Sequence, residues 1–169
     1  MATSSYDAPV IRPIDEGDWP QVHDVLVEVA TAGETYAMDV PRSEAETREF
    51  WSGQHVAVAV DGDTILGSAK MGPNRPAQGA HVGTASFIVG SGARGRGIGR
   101  AMGEYTVEWL RSHGFEGIQF NAVVSTNTGA IKVWHSLGFE TIGIVPDAFR
   151  LPSGEYADLY VMYLRLEHP

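Results

Sequence analysis

The stretch that decides the fold runs from Phe87 to Gly103 and has the sequence FIVGSGARGRGIGRAMG. Its apolar start predicts a strand and its glycines predict a turn. The residues that follow predict a helix, because one apolar face is formed at helical spacing by Ile98, Met102, Tyr105 and Trp109. The first N–H groups of such a helix lack an intrahelical acceptor and carry the positive end of the helix dipole. The sequence therefore predicts an anion site, suited to phosphate, between this strand and this helix.

The turn combines glycines with arginines. Three residues lack Cβ atoms and so let a pyrophosphate approach the backbone closely: Gly95, Gly97 and Gly99. Three more add positive charge at the rim: Arg94, Arg96 and Arg100. The alternative is a tight turn packed on the sheet with solvated arginines. The placement between a strand and a helix favours the phosphate interpretation.

Two phosphate-binding patterns overlap in this turn. Gly90 to Gly95 fits the dinucleotide pattern G-x-G-x-x-G, which also needs an acidic residue at the end of the next strand to bind the ribose. That strand ends in Val124-Ser125-Thr126, which contains no carboxylate. Arg94 to Gly99 fits R-x-x-G-x-G instead. A hairpin predicted before the turn also argues against a Rossmann half.

The rest of the chain predicts short alternating elements in the order β, α, α, β, β, β, α, β, α, β, β. The predicted strands lie at 10–12, 56–60, 65–70, 81–89, 117–124, 140–145 and 157–166, and the helices with their caps at 18–33, 43–53, 98–114 and 127–138. A strand, helix, strand alternation implies locally parallel strands, while a hairpin needs antiparallel ones. The predicted fold class is α/β, with a mixed sheet and helices on both faces.

Local signals set several boundaries. Capping signatures place the starts of the first two helices at Asp18, with Gln21, and at Ser43, with Glu46. The Asp-Gly step at 61–63 predicts a hairpin turn. The stretches with the weakest signals for regular structure are 1–8, 72–79 and 146–154.

Composition narrows the class of protein. The 169 residues suit one domain at 9–169 after a flexible segment 1–8, and 43% of them are hydrophobic. The chain has no Cys, and its six His lack the spacing of a helical zinc pair, so we expect no metal site. A net charge of −9 argues against nucleic acid. MATSSYDAPV resembles no signal segment and no apolar run is long enough to span a membrane, so we expect a cytoplasmic protein. A homodimer is left open.

At this point the chain resembles the GNAT superfamily of acetyl-CoA-dependent N-acetyltransferases. The residues that carry the resemblance are Arg94 to Gly99 and a second segment, Asn127 to Phe139 (NTGAIKVWHSLGF), which is similar to the signature N-x-x-A-I-x-x-Y-x-x-x-G-F. The element order also matches, so the resemblance covers nearly the whole chain. It implies acetyl transfer from acetyl-CoA, as co-substrate, to an amine by direct attack in a ternary complex.

The resemblance also implies roles for particular residues. Backbone N–H groups would bind the pyrophosphate of coenzyme A along Arg94, Gly95, Arg96, Gly97, Ile98, Gly99 and Arg100. The main chain of Phe87, Ile88 and Val89 would pair with the pantetheine arm, and the Val89 amide would face the thioester oxygen. Asn127 would reach the arm, cap its own helix, or do both.

One position departs from the superfamily pattern. The second signature usually carries a tyrosine as general acid, and Trp134 occupies that position here. An indole N–H has no proton to give near neutral pH. A thiol of pKa near ~8.5 leaves as a tolerable anion, helped by the positive start of the helix at Asn127. Trp134 is therefore expected to pack against pantetheine or in the core.

Candidates for the remaining chemistry lie elsewhere. Glu34, between the first two helices, is the candidate base for the amine, against the alternative of a solvated loop carboxylate. Asn121 is either satisfied by the backbone or in contact with the substrate, and substrate contact is the prediction. Weaker candidates, each more typical of surface or packing positions, are His81, His135 and Tyr163.

Three segments are similar to acetyltransferases of the azetidine-2-carboxylate and phosphinothricin kind: GETYAMD at 33–39, FNAVVSTN at 120–127 and PDAFRLP at 146–152. The resemblance implies a small acceptor, an amino acid or an analogue. Thr84 stands where the azetidine-carboxylate type tends to carry asparagine. Two alternatives are a coenzyme A-binding sensor or partner module without turnover, motivated by Trp134, and a protein N-terminal acetyltransferase.

Overall fold

The computed structural model describes residues 8–167, so the flexible segment predicted at 1–8 lies, apart from Ala8, outside the described residues. The strands are β1 (Val10–Pro13), β2 (His55–Asp61), β3 (Thr64–Pro73), β4 (Val82–Val89), β5 (Gly117–Val124), β6 (Glu140–Arg150) and β7 (Tyr156–Arg165). The helices are α1 (Trp19–Ala32), α2 (Glu44–Phe50), α3 (Ile98–Ser112) and α4 (Thr128–Ser136). Short 3-10 turns occupy Glu16–Asp18, Ala77–Gly79 and Ser91–Ala93.

The strands form one mixed sheet in the order β1-β2-β3-β4-β5-β7-β6. β4 and β5 pair in parallel, while the other neighbours pair antiparallel. The parallel pair is connected through α3, as a crossover between parallel strands requires. The predicted α/β class, the mixed sheet and the order of elements are confirmed.

The helices cover both faces of the sheet. On one face, the buried cluster contains Val22 and Leu26 of α1 and Trp51 directly after α2. On the other, Met102 of α3 and Trp134 of α4 belong to a separate buried cluster. The strands contribute side chains to both clusters, because successive residues of a strand point to opposite faces of the sheet.

The two halves of the sheet separate between β4 and β5. In the described part of the chain their pairing consists of Val82 with Gly117 and Gly83 with Ile118. β4 remains paired with β3 up to Val89, and β5 remains paired with β7, with a register shift between Phe120 and Val123. The carboxyl ends of these two strands therefore diverge and leave a slot in the middle of the sheet.

One predicted cap is wrong. The Asp18 carboxylate accepts from Arg12 at 2.6 and 2.9 Å, so it does not cap α1. Gln21 instead binds the β2–β3 turn, donating to the Asp63 carbonyl and accepting from the Ile65 N–H, each at 2.9 Å. The capping pattern is local, so it does not show that Gln21 can bond to a distant segment of the chain.

Two other local predictions have different outcomes. Ser43 caps α2 as predicted, because its hydroxyl accepts from the Glu46 N–H at 3.2 Å. The last-but-one strand is longer than predicted, since β6 continues through the segment 146–150 after a register shift against β7. Pairing with β7 extends this strand past Pro146, which as a local signal suggested its end.

Close packing of α3 on α4 depends on Gly103. A Cβ at this position would lie 2.8 Å from both the Leu137 Cδ1 and the Trp134 Cζ3 atoms. We expect Gly103→Ala to lower the free energy of unfolding by about 1–3 kcal/mol, because overpacking forces side chains off their rotamers. Urea denaturation measures this change.

The matched control is Gly129→Ala in α4, where nothing lies within 4 Å of an added Cβ. Relative to glycine, alanine favours a helix, so the control should keep or raise stability. Equal stability of the two variants would contradict the packing explanation.

Candidate active site

The slot between β4 and β5 exposes main-chain polar groups. The Gly90 N–H donates to the Leu66 carbonyl at 2.9 Å, which places Gly90 and Ile88 in register to bond β3. Because hydrogen-bonding direction alternates along a strand, Phe87 and Val89 turn their N–H and C=O groups towards β5 instead. β5 has already diverged at this level. These two residues offer the edge of a strand to a ligand.

The glycine-rich turn follows this strand directly. Gly95 and Gly97 both have φ of +76°, a left-handed conformation that favours glycine, and Gly97 is the N-cap of α3. The Ala101 N–H makes a helical bond to the Gly97 carbonyl at 3.0 Å. The N–H groups that precede this first turn of bonds belong to Ile98, Gly99 and Arg100. An added Cβ would meet nothing within 4 Å at Gly95, Gly97 or Gly99, so open space lies above this turn.

The three arginines of the turn form ion pairs within the protein. Their partners are Glu34 for Arg94 at 3.9 Å, Asp61 for Arg96 at 2.9 Å and Glu104 for Arg100 at 2.9 Å. Exposed pairs of this kind contribute about 0–1 kcal/mol, so a bound anion can compete for these side chains. The carboxylates offset the charge of the arginine side chains, but they do not offset the positive potential of the backbone amides at the start of α3.

Glu28 on α1 ties the turn to the helix layer. Its carboxylate accepts from the Ser91 N–H at 2.7 Å, at the start of the 3-10 turn that precedes Arg94. Hydrogen bonds from the side chain and then the backbone of Ser91 hold the pKa of Glu28 below its ordinary value. This role of Glu28 could not be predicted from the sequence, because nothing local in α1 indicates a partner 63 residues away.

A single cleft of about 1160 Å³ joins the slot to the turn and to the segment between α1 and α2. It brings together most of the residues that the sequence nominated: Glu34, Phe87, Ile88, Val89, Arg94, Gly95, Gly97, Ile98, Gly99, Arg100, Asn121, Asn127 and Trp134. Arg96 is not part of its lining and faces Asp61. His81 and Tyr163 line a different cavity, with Glu116 and Arg165. His135 hydrogen-bonds the Phe139 carbonyl at 3.0 Å.

Asn121 lies where β5 loses its register against β7. Its side chain donates to the Asn74 Oδ1 atom at 2.6 Å and accepts from Gln119 at 2.9 Å. The hydrogen-bonding groups of the Asn121 side chain are therefore satisfied by other side chains, not by the backbone, at the edge of the cleft.

The floor of the cleft contains Asn127 and Trp134. Asn127 accepts from the Ala130 N–H at 3.4 Å and so caps α4. Trp134 is 6% exposed, and its ring centroid lies 4.7 Å from that of Phe87 and 4.9 Å from that of Phe120. The indole belongs mainly to the core and shows only an edge to the cleft.

Tyr36 was not nominated from the sequence, although it follows Glu34 by two residues. Its hydroxyl donates to the Phe87 carbonyl and accepts from the Phe87 N–H, each at 2.8 Å. Burial raises the pKa of Tyr36 to about 12, so the phenol is neutral. The local signal was only an aromatic residue in a loop, and its contact with β4 depends on tertiary structure.

No helix within residues 8–167 combines the length and apolar composition needed to cross a membrane. The same residues contain no group of three or more His, Asp or Glu side chains placed to hold a metal ion.

The split sheet, the glycine turn at the start of α3 and the cleft between them define a class of α/β protein that binds a phosphorylated ligand along a strand edge. The chain belongs to the acetyltransferase (GNAT) family, whose model matches residues 19–139. It is therefore an acetyltransferase of the GNAT type.

Individual relatives agree with this assignment. The chain is 31% identical over 148 residues to the N-acetyltransferase aca1 of Schizosaccharomyces pombe, covering 76% of this chain and 71% of that protein. A GCN5-related N-acetyltransferase from Kribbella flavida has a similar structure, with a TM-score of 0.89, 48% identity, and coverage of 94% of this chain and 98% of that one.

A phosphinothricin acetyltransferase from Sinorhizobium meliloti, solved in complex with AcCoA, shares the fold. The TM-score is 0.86 at 22% identity, with coverage of 95% of this chain and 89% of that one.

The hydrogen bond between Glu28 and Ser91, the Glu28 link, should affect how tightly the turn binds a ligand. Glu28→Ala should weaken binding of a phosphate ligand at the turn about 10-fold, because a hydrogen bond to a charged group contributes about 1.5 kcal/mol. Calorimetric titration with coenzyme A measures this change. Because the pKa of Glu28 lies below its ordinary value, the link is intact at neutral pH and is lost only as the pH falls through that lowered pKa.

Glu28→Gln keeps an oxygen acceptor and should lie between the wild type and the alanine variant. Asp24→Ala, one turn earlier on the exposed side of α1, is the matched control. If Glu28→Ala and Asp24→Ala bind coenzyme A equally well, the link does not position the turn.

Proposed function

We propose that this acetyltransferase transfers the acetyl group of acetyl-CoA to the amine of a small molecule, an amino acid or an analogue, by direct attack in a ternary complex. The observation that carries the proposal is the continuous cleft that connects three parts. These are the phosphate turn (Arg94 to Arg100), the strand edge at Phe87 and Val89, and Glu34 in the segment between α1 and α2.

The residues present fit acetyl-CoA. The open space above Gly95, Gly97 and Gly99 suits a pyrophosphate against bare backbone, and the amides at the start of α3 supply donors. The strand edge of β4 suits a pantetheine arm, because its amides can pair as they would with another strand. The complex of the Sinorhizobium meliloti enzyme with AcCoA supports this choice of co-substrate.

The chemistry divides among few groups. Glu34 is the proposed base, since its carboxylate lines the cleft and is 57% exposed, so an amine can reach it directly or through water. The amides of Phe87 and Val89 face the slot, where they can bind the arm and the thioester oxygen. Departure of the thiolate is favoured by the positive start of α4, which Asn127 caps.

The part of the cleft around Glu34 supports a small acceptor. A Cβ at Gly33 would lie 3.6 Å from the Pro152 Cγ atom, so the β6–β7 turn meets the end of α1 there. This contact narrows the path that an extended peptide would need. A coenzyme A sensor is the second candidate, favoured by Trp134, which gives no proton to the leaving group.

Thiol release measures the proposed reaction. With acetyl-CoA and a panel of small amino acids, we expect release of coenzyme A, and with short peptides bearing free amino termini we expect much slower release. Release with peptides alone would overturn the small acceptor. Binding of coenzyme A without release for any acceptor would favour the sensor.

The phosphate turn provides the binding control for this experiment. Acetyl-CoA at 100 times its dissociation constant should stabilise the fold by about 2.7 kcal/mol, and Gly97→Val should abolish this gain. Gly114→Val strains an equivalent left-handed glycine, with φ of +82°, at the other end of α3 and should keep it. Absence of stabilisation in the wild type would reject both the transferase and the sensor.

Glu34 can be tested separately from binding. Glu34→Gln should lower kcat about 10²- to 10⁴-fold, because it removes the proton acceptor, while the affinity for acetyl-CoA stays near that of the wild type. Steady-state kinetics across the pH range measure this effect, with Asp39→Asn in the same loop as control. A Gln variant that turns over normally at every pH would show that Glu34 is not the base.

A further inference from the structure

The main-chain N–H and C=O groups of Phe87 are both hydrogen-bonded to one side chain, not to another strand. Its N–H and C=O point into the slot, and one phenol hydroxyl, that of Tyr36, bonds to both at 2.8 Å. The same two groups belong to the strand edge that the proposed pantetheine arm needs. The Tyr36 hydroxyl and the arm therefore compete for Phe87, and this inference rests on the proposed function.

The order of residues along β4 indicates which part of the arm reaches Phe87. The phosphate turn follows the carboxyl end of β4, so an arm running from it meets Val89 first. Phe87 lies two residues deeper, about 6.6 Å further along the strand. The deeper Phe87 amide therefore suits the thioester oxygen, in place of the Val89 amide that the resemblance implied, and the Val89 amide suits the arm itself.

The Tyr36 oxygen lies where a thioester oxygen would bind. An oxygen 2.8 Å from the Phe87 N–H is within the 2.7–3.1 Å expected for a donor that stabilises developing negative charge. We propose that the Tyr36 hydroxyl gives up its bond from the Phe87 N–H when the arm binds, and becomes the second hydrogen-bond donor to the thioester oxygen.

The chemistry of the phenol fits a donor and not an acid. With a pKa of about 12, Tyr36 keeps its proton at neutral pH. Transfer of that proton to a thiolate of pKa near ~8.5 is unfavourable by between three and four pKa units. Tyr36 therefore does not replace the general acid that is missing at Trp134.

The surroundings of Tyr36 permit this exchange. The backbone at 36–41 is neither helix nor strand, so it can move more readily than β4. The ring lies edge-on to the buried Trp51, with centroids 6.4 Å apart, and this contact keeps the hydroxyl near the slot. A small tilt of the ring moves the Tyr36 oxygen away from the Phe87 N–H, while the phenol hydrogen stays close to the position of the thioester oxygen.

The reaction balances with Tyr36 unchanged. The amine lone pair forms the new bond between nitrogen and the carbonyl carbon, and the carbonyl electron pair moves onto oxygen, which accepts from Phe87 N–H and Tyr36 O–H. The electron pair on oxygen then re-forms the carbonyl bond as the carbon–sulfur bond breaks, and the electron pair of the broken bond leaves with sulfur. The amine proton goes to Glu34, and the thiolate takes a proton from solvent.

Tyr36→Phe tests the proposal by two measurements. Loss of one donor to the oxygen should lower kcat about 100-fold, while acetyl-CoA binds as tightly as in the wild type or more tightly, because a competitor is gone. In the infrared spectrum of bound acetyl-CoA labelled with ¹³C at the carbonyl, the carbonyl stretch should move up towards its frequency in water-free solvent. A role in folding alone would leave that frequency unchanged.

Tyr105→Phe is the matched control, since it removes a phenol hydroxyl bonded to His55 at 2.9 Å, outside the cleft. Replacing Tyr36 with 3,5-difluorotyrosine keeps the fold and strengthens the donor, so the carbonyl stretch should move down. An unchanged stretch in both Tyr36 variants, or an unchanged kcat in Tyr36→Phe, would overturn the proposal. If the wild type itself does not bind acetyl-CoA, the proposed function fails instead.

Discussion

The divergence of β4 from β5 is the constraint on which the rest of the site depends. Two pairs of residues hold the strands together at one end, and beyond them each strand stays paired with its other neighbour. Continued pairing would have satisfied the amides of Phe87 and Val89 within the sheet. Since an unsatisfied buried polar group costs about 1–3 kcal/mol, the open slot favours any ligand or side chain able to bond there. The fold thus builds a binding edge in its own centre.

The electrostatics of the cleft follow from the backbone more than from side chains. The chain carries a net charge of −9, and each arginine of the turn already has a carboxylate partner. The amides at the start of α3 cannot be neutralised in this way, because their direction is fixed by the helix. An acidic protein can therefore still bind a diphosphate. The pairing of Arg94 with Glu34 also places the phosphate side and the proposed base side in contact.

Two side chains of the α1–α2 layer act on the slot from outside the sheet. Glu28 binds the amide of Ser91 and fixes the start of the turn, while Tyr36 binds the main chain of Phe87. Both reach backbone groups more than 50 residues away in sequence. The helix layer that buries Val22 and Leu26 thus also sets the geometry of the phosphate turn and of the strand edge.

The sequence by itself determined the order of elements and the glycine-rich turn, and it indicated several of the residues that line the cleft. The periodicity of apolar residues and the placement of glycines are local properties. The structure of the stretch 87–103 and the cap at Asn127 could therefore be predicted from neighbouring residues alone. Tertiary structure decided the partners. It directed Gln21 to the β2–β3 turn, extended β6 beyond Pro146, buried Trp134 among phenylalanines and placed the Tyr36 hydroxyl on Phe87. A hydrogen bond or ring contact between distant segments depends on how the whole chain packs, and no local spacing contains that information.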